Sequence, residues 1–310
     1  MKGNILELKE EEEIIPVLKA VASESRMQIL EVLRDDEMNL NQISEFIDMP
    51  ASSVTVNIKK LEEAGLIETK YKPGRHGSQK ICSLNYDKIL INLPGNRELK
   101  DQNLIETAMP IGNYKDFEVH PNCGLASEEA VIGEFDDTSS FLDPDHTQAQ
   151  ILWFDHGYVK YIFPNKLPNN AKISKLELSM ELCSETIEYN ENWPSDISIW
   201  INGVEIGTWT SPGDFGEKRG SLNPDWWYFG LTQHGLLKIW QVREEGSFID
   251  GNRISNINVE DLNIEEKDSI ELKIGVREDA ENVGGINLFG RKFGNYKQDM
   301  ILRYRYQQQN

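Results

Sequence analysis

Between positions 209 and 234 the chain places Trp209, Asp214, Arg219, Asn223, Trp226, Trp227 and His234 in a run rich in glycine and proline, without a regular hydrophobic period. Indole faces stack on the apolar faces of sugar rings, and acid, amide, guanidinium and imidazole groups between them hydrogen-bond hydroxyls. A second polar and aromatic run, "GGINLFGRKFGNY" at 284–296, offers Asn287, Arg291 and Asn295. Together these residues point to reversible binding of a small polar ligand, a carbohydrate. The competing reading is that the tryptophans fill a core and the glycines only permit tight turns.

A different chemistry is available near the N-terminus. From 55 to 80 there are six Lys and Arg against three Glu, a local surplus of positive charge in a chain of net charge -20. Lys59 and Lys60 can neutralise phosphates, and Ser52, Ser53, Thr55 and Asn57 are small enough to approach bases or phosphates. An outward Val56 fits a thymine methyl. Lys72, Arg75 and His76 follow in and around a Pro/Gly turn, "PGRHG". The alternative is a solvated helix face with Val56 packed on a neighbour.

These residues need elements to carry them. Apolar spacing predicts helices over 10–22 (Ile14, Val17, Leu18, Val21), 23–36 (Met27, Leu30, Leu33), 39–49 (Leu40, Ile43, Ile47) and 51–67 (Val54, Ile58, Leu61), with Gly65 stopping the last. Two alternating runs around "PGRHG" read as a hairpin. Helices followed by a basic hairpin make a winged helix-turn-helix. Here "LKAVASESRMQILEVL" and "SSVTVNIKKLEEAGLIETKYKPGRHG" closely resemble the ArsR-type bacterial regulators. The resemblance covers roughly residues 14–85. It implies a homodimer that sets the second helix of the motif in the major groove of double-stranded operator DNA, with the wing near the backbone or minor groove. Many members of that family sense metals through cysteines in the preceding helix or at the chain ends. "NLNQISEFID" has none, and Cys82 reads as a small core residue of the second wing strand. No metal and no cofactor are expected.

Beyond residue 128 the period changes to two. Runs at 129–135, 157–164, 173–182, 196–209, 235–242, 268–276 and 299–306 give about eight strands, with Asn202-Gly203 as a hairpin turn. The expected fold is α+β and multidomain: a winged helix-turn-helix over 1–93, a linker and lead-in over 94–127, and an antiparallel β-sandwich, a jelly roll, over 128–310. The sandwich looks like carbohydrate-binding modules of that form. Composition divides the chain the same way. Residues 1–100 hold 14 Lys and Arg against 17 Asp and Glu, the remainder 18 against 35, and all seven tryptophans lie beyond residue 150.

Three scattered cysteines point to a reducing cytoplasm, and no apolar run reaches the length of a membrane span. Glu177, Glu181, Glu185 and Glu188 could pair for glycoside hydrolysis, but acids are abundant and their separation is not readable from sequence. The histidines His120, His146, His156 and His234 lack ligand spacing, and neither a G-x-S-x-G nor a phosphate loop occurs. The expectation is a regulator that binds DNA and a ligand and is not an enzyme. The alternative for the sandwich is a protein-interaction or oligomerisation module.

Overall fold

A computed structural model describes residues 5–8, 11–34, 36–74, 77–86, 88–91 and 103–308. The chain forms two compact units, Met1–Lys100 and Asp101–Asn310. Among the described residues no helix is long and apolar enough to cross a membrane.

The first unit runs β1 (Ile5–Leu8), α1 (Glu11–Val21), α2 (Glu24–Val32), β2 (Met38–Asn39), α3 (Leu40–Phe46), α4 (Ala51–Glu63), β3 (Ile67–Gly74), β4 (Gly77–Leu84) and β5 (Lys88–Ile91). Its core takes Ile14, Val17 and Ala20 from α1, so the buried stripe is rotated away from the expected Leu18. In α2 it takes Ile29, with Leu33 just beyond the helix, and leaves Met27 half exposed. Arg26 explains how these two helices meet: its guanidinium donates to the carbonyls of Lys19 and Ala20, two of the acceptors that the end of α1 leaves open. A capping box starts α3. Asn39 Oδ1 accepts from the amides of Asn41 and Gln42, and Gln42 Oε1 accepts from the Asn39 amide at 2.8 Å. Val54, Ile58 and Leu61 seat α4 in the core as their spacing predicts, and Gly65 at φ +70 turns the chain into the wing. β3 and β4 pair antiparallel from Ile67↔Leu84 to Gly74↔Gly77, β2 adds to β4, and β1 pairs parallel with β5. Cys82 is wholly buried, its thiol pushed up to about 11 by burial, as suits a small core residue.

Fifteen strands are described in the second unit: β6 (Leu104–Met109), β7 (Asp116–Val119), β8 (Gly124–Ala126), β9 (Val131–Ile132), β10 (Ile151–Phe154), β11 (Gly157–Pro164), β12 (Ala171–Cys183), β13 (Ser195–Ile201), β14 (Val204–Ser211), β15 (Leu236–Arg243), β16 (Gly246–Ile249), β17 (Asn252–Ser255), β18 (Ser269–Val276), β19 (Ile286–Phe289) and β20 (Met300–Gln308). They form an antiparallel sandwich. One sheet has the order β14-β13-β18-β11-β7; the other runs β17-β16-β15-β12-β19-β10-β8-β9, with β20 joining β12 to β6. The lead-in expected over 94–127 is corrected here. β6 pairs with β20, β7 with β11 and β8 with β10, so residues from 104 onward belong to the sandwich, while 92–102 lie outside the described residues. The strand expected at 129–135 shrinks to β9.

Tyr161 and Phe163 of β11, Ile197 and Ile199 of β13, Leu176, Leu178 and Met180 of β12 and Trp240 of β15 meet in the core between the sheets. The turn Asn202-Gly203, with φ of 52 and 84, closes the β13–β14 hairpin with both central residues left-handed, as a type I′ turn requires. A second, smaller core lies apart from this one. Ile151 and Trp153 of β10, Phe289 of β19, Cys183, Trp227 and Phe293 pack together, while Leu152, Phe154 and Leu288 join the main core. Alternate residues of β10 therefore enter different cores, and the strand is buried on both faces.

Candidate functional site

In the first unit, Ser52, Ser53, Thr55, Val56, Lys59 and Lys60 are all exposed on α4, opposite its buried face. Val56 is 56 % exposed and stands outside the unit's buried core. Thr55 Oγ1 donates to the Ala51 carbonyl at 2.8 Å and Asn57 Nδ2 to the Ser53 carbonyl at 3.0 Å, both within the helix. Asn57 also accepts from Arg26 at 3.5 Å, which ties its side chain to α2 and makes it less available than its neighbours. Lys59 forms a loose ion pair with Glu63 (3.7 Å), and Lys72 on the wing pairs with Glu37 (3.0 Å). Both lysines keep most of their side chain in solvent, where such pairs are weak and exchangeable. Lys80 meets Glu62 at 2.9 Å; that carboxyl is held low first by the Thr69 hydroxyl and then by Lys80. Arg75 and His76 lie outside the described residues.

In the second unit, the loop after β14 lies over the smaller core. A pocket of about 200 Å³ opens there, with Phe135, Trp153 and Trp227 among its walls and Asn122, Glu185, Thr232 and Asn287 among its polar lining. The Phe135 and Trp153 rings lie 5.7 Å apart, and Trp153 meets Trp227 edge to face at 6.1 Å. Trp227 is almost wholly buried, and its Nε1 donates to the Thr232 carbonyl at 2.8 Å. Trp226 sits edge to face on Trp227, is 37 % exposed and donates to the Glu128 carbonyl at 2.7 Å. Gly124 makes room for this arrangement, because a Cβ there would lie 2.3 Å from the Trp153 ring.

A polar network backs the rings. Glu185, 8 % exposed, accepts from Asn122 Nδ2 at 2.7 Å and Asn287 Nδ2 at 2.6 Å. The Thr232 hydroxyl lies 3.0 Å from Asp214 Oδ2 and 3.5 Å from Glu185 Oε2, within reach of both acids. Asp214 is wholly buried; its Oδ2 also accepts from the Thr186 amide at 3.1 Å, while its Oδ1 has no hydrogen-bond partner. Burial, and then repulsion from Asp214, pushes the Glu185 carboxyl far above the usual carboxylate range, and burial raises Asp214 as well. The pair is therefore reluctant to carry two charges.

Of the residues singled out from sequence, Trp227 and Asn287 line this pocket and Asp214 lies in the network with them. The other expected ligand contacts do different work. Trp209 packs on the main core with Lys238 Nζ 4.9 Å from its ring centroid. Arg219 donates to the carbonyls of Pro224 and Trp227, fastening the loop to itself. Asn223, buried, donates to Gln233 and accepts from the Gly294 amide. His234 stacks on Phe215, where burial lowers its pKa. Arg291 is exposed outside the pocket. Sequence reading missed Asn122, Phe135, Trp153 and Thr232. Glu185 appeared in it only as one acid among many.

A helix-turn-helix with an antiparallel wing, carrying exposed basic residues on α4 and β3, is the build of a DNA-binding regulator's head. The family model for a helix-turn-helix domain matches residues 21–70. The transcriptional activator HlyU of Vibrio cholerae is 31% identical over 74 residues, 23% of this chain and 68% of that protein. The HTH-type transcriptional regulator KmtR of Mycobacterium tuberculosis is 35% identical over 57 residues, 18% of this chain and 44% of that protein. The chain belongs, through its N-terminal unit, to the ArsR-type winged helix-turn-helix transcriptional regulators. Against one of these relatives it spans less than half of the relative's length. Among solved structures, the CBM36-1 domain of a multidomain xylanase from the hindgut metagenome of Trinervitermes trinervoides aligns with 64% of this chain and 96% of its own, at 9% identity and a TM-score of 0.28.

Proposed function

We propose that this chain is a homodimeric transcriptional regulator that binds double-stranded operator DNA through α4 and the wing, and binds a small carbohydrate in the pocket of its sandwich. The sandwich acts as a binding module and performs no chemistry on the ligand. Differential affinity of the sugar for DNA-competent and DNA-incompetent states shifts operator occupancy. The observation that carries this reading is the pocket itself: three aromatic rings beside amide, hydroxyl and carboxyl groups, in a chain whose other unit belongs to a DNA-binding family. Calorimetric titration of the full chain with an oligosaccharide panel, paired with operator gel shifts with and without each sugar, tests it. A sugar that binds and alters the shift supports the reading, and silence across the panel overturns its ligand half.

One observation favours a second reading. Ile187, Tyr228 and Phe229 are 81 %, 76 % and 63 % exposed, and Ile187 belongs to the pocket lining. Exposed apolar groups of this size suit a protein partner. Replacing Tyr228 and Phe229 with serine would then abolish regulation while leaving sugar titrations unchanged.

A further inference from the structure

We infer that the pocket takes a single sugar ring, held by hydroxyls that donate to the amide oxygens of Asn122 and Asn287, and that Glu185 is the positioning residue that turns the Asn122 amide to receive them. The inference rests on the pocket reading above and deepens it by naming how much of a carbohydrate binds and through which of its groups. At about 200 Å³ the pocket is smaller than the clefts of about 300–1,000 Å³ that enclose drug-sized ligands. Of the three rings in its lining, Trp153 and Trp227 are buried, while Phe135 is open, 54 % exposed. A run of linked sugars stacks on several open rings; one open ring seats one apolar sugar face.

The two amides in the lining have their donors engaged and their oxygens open. Asn122 Nδ2 donates to Glu185 Oε1 at 2.7 Å, and Asn287 Nδ2 is shared among Glu185 Oε2 (2.6 Å), the Ser184 carbonyl (2.8 Å) and the Thr232 hydroxyl (3.2 Å). Among the described residues no group donates to either Oδ1, and neither oxygen is sealed away as a buried atom without a partner. Both remain as acceptors in the pocket wall, and a ligand must bring donors to meet them, as sugar hydroxyls do. The amides are oriented by different means. The Ser184 carbonyl fixes Asn287 whatever stands at 185, whereas among the described residues Glu185 is the one acceptor that faces the Asn122 NH2. Both Glu185 oxygens are occupied by protein donors, so this acid acts on the ligand through Asn122.

Calorimetry of the full chain at pH 7 tests this with the methyl glycosides of xylose, glucose, galactose and mannose, the linear trisaccharide of each, myo-inositol, and the monodeoxyfluoro series of the best-binding glycoside. Fluorine cannot donate a hydrogen bond, so two members of that series should bind about tenfold more weakly than the parent, and the parent should match its trisaccharide within about threefold. Glu185→Gln keeps an oxygen for Asn287 and sets an NH2 against Asn122, whose amide should turn over and present its own NH2 to the pocket. One of the two fluorine penalties should then vanish and the other persist. Because Glu185 is buried, Asn122→Ala, at a half-buried position, is the companion variant and should remove the same single penalty. Phe135→Ala, at an open position, should weaken every glycoside several-fold at an unchanged unfolding temperature. Affinity rising about tenfold with each added sugar would overturn the single ring. Penalties untouched by both variants would overturn the role of Glu185, and no penalty at any position would overturn the hydroxyl contacts; each of these leaves the carbohydrate reading standing. Binding of myo-inositol without any sugar would uphold a polyhydroxyl ring and overturn the carbohydrate reading, and silence across all the probes would overturn both.

Discussion

The two units hold their charged groups in opposite ways. On the winged helix, Lys59, Lys60 and Lys72 stand in solvent, with Lys59 and Lys72 in exposed ion pairs, and the core beneath them is built of apolar side chains with Cys82 among them. In the sandwich, Glu181, Glu185, Asp214 and the Lys238–Asp250 pair are buried and held by many partners. Glu181 accepts from the amides of Gly235, Asn295 and Tyr296, so a single acid fastens two loops to the end of β12. An exposed cation can be traded from a neighbouring acid to a phosphate at little cost, whereas a buried acid can change partners only if something enters. The first arrangement suits a polyanion read along a surface; the second suits a ligand taken into a pocket.

The largest expected departure from this contrast comes from the buried ion pair. Lys238 and Asp250 side chains are 6% and 4% exposed at 2.9 Å, and truncating Lys238 to alanine leaves an uncompensated buried charge. Chemical denaturation should show the second unit losing about 3–5 kcal/mol. The same truncation of Lys80 on the wing, whose pair with Glu62 keeps side-chain exposures of 23% and 37%, should cost the first unit under about 1 kcal/mol. Equal losses would break the comparison. Next in size, Gly124→Ala forces a methyl against the Trp153 ring, and the second unit should lose about 1–3 kcal/mol with a shifted tryptophan emission and weaker ligand binding.

A pH scan sharpens the contrast further. Glu185 and Asp214 have folded-state pKa values raised above those of the unfolded chain, with Asp214 at about 8. Their contribution is fully present below the unfolded values near pH 4 and is lost as pH rises towards 8 and beyond. The unfolding temperature of the sandwich should therefore fall between pH 5 and pH 8.5, and Asp214→Asn should flatten that slope. A slope unchanged by the substitution would show that the pair is not its source. The smallest effect on stability belongs to Lys59→Ala and Lys60→Ala, within about 0.5 kcal/mol for surface positions. Each should nonetheless reduce the salt-dependence slope of operator binding by about one, measurable by fluorescence anisotropy over a salt series.

What sequence made legible follows from where one face of an element is wet. Val54, Ile58 and Leu61 stand out because polar residues surround them on α4, and β11, β13, β18 and β20 stand out because they alternate. β10 ("ILWF") and β19 ("INLF") escape such a reading because the loop over the smaller core leaves them no wet face, so they show apolar runs too short to classify. The pocket was half legible. Trp227 and Asn287 declared themselves by composition, but Trp153 comes from β10 and Phe135 from the segment after β9, and no local spacing relates them. Glu185 and Asp214 illustrate the harder limit: in a chain with 52 Asp and Glu, only burial distinguishes these two from the rest. Arg219 and Asn223 looked like ligand contacts because the groups that satisfy loop carbonyls are the same groups that satisfy sugars.

β6 and β20, the first and last strands of the sandwich, lie side by side, registered from Met109↔Met300 to Leu104↔Arg305. The unit's own sequence is thus closed like a loop on a drawstring, with its beginning and end at one edge of one sheet. Among the described residues every strand of this unit pairs only within it, the condition that lets such a unit be produced alone or set into a surface turn of an unrelated host.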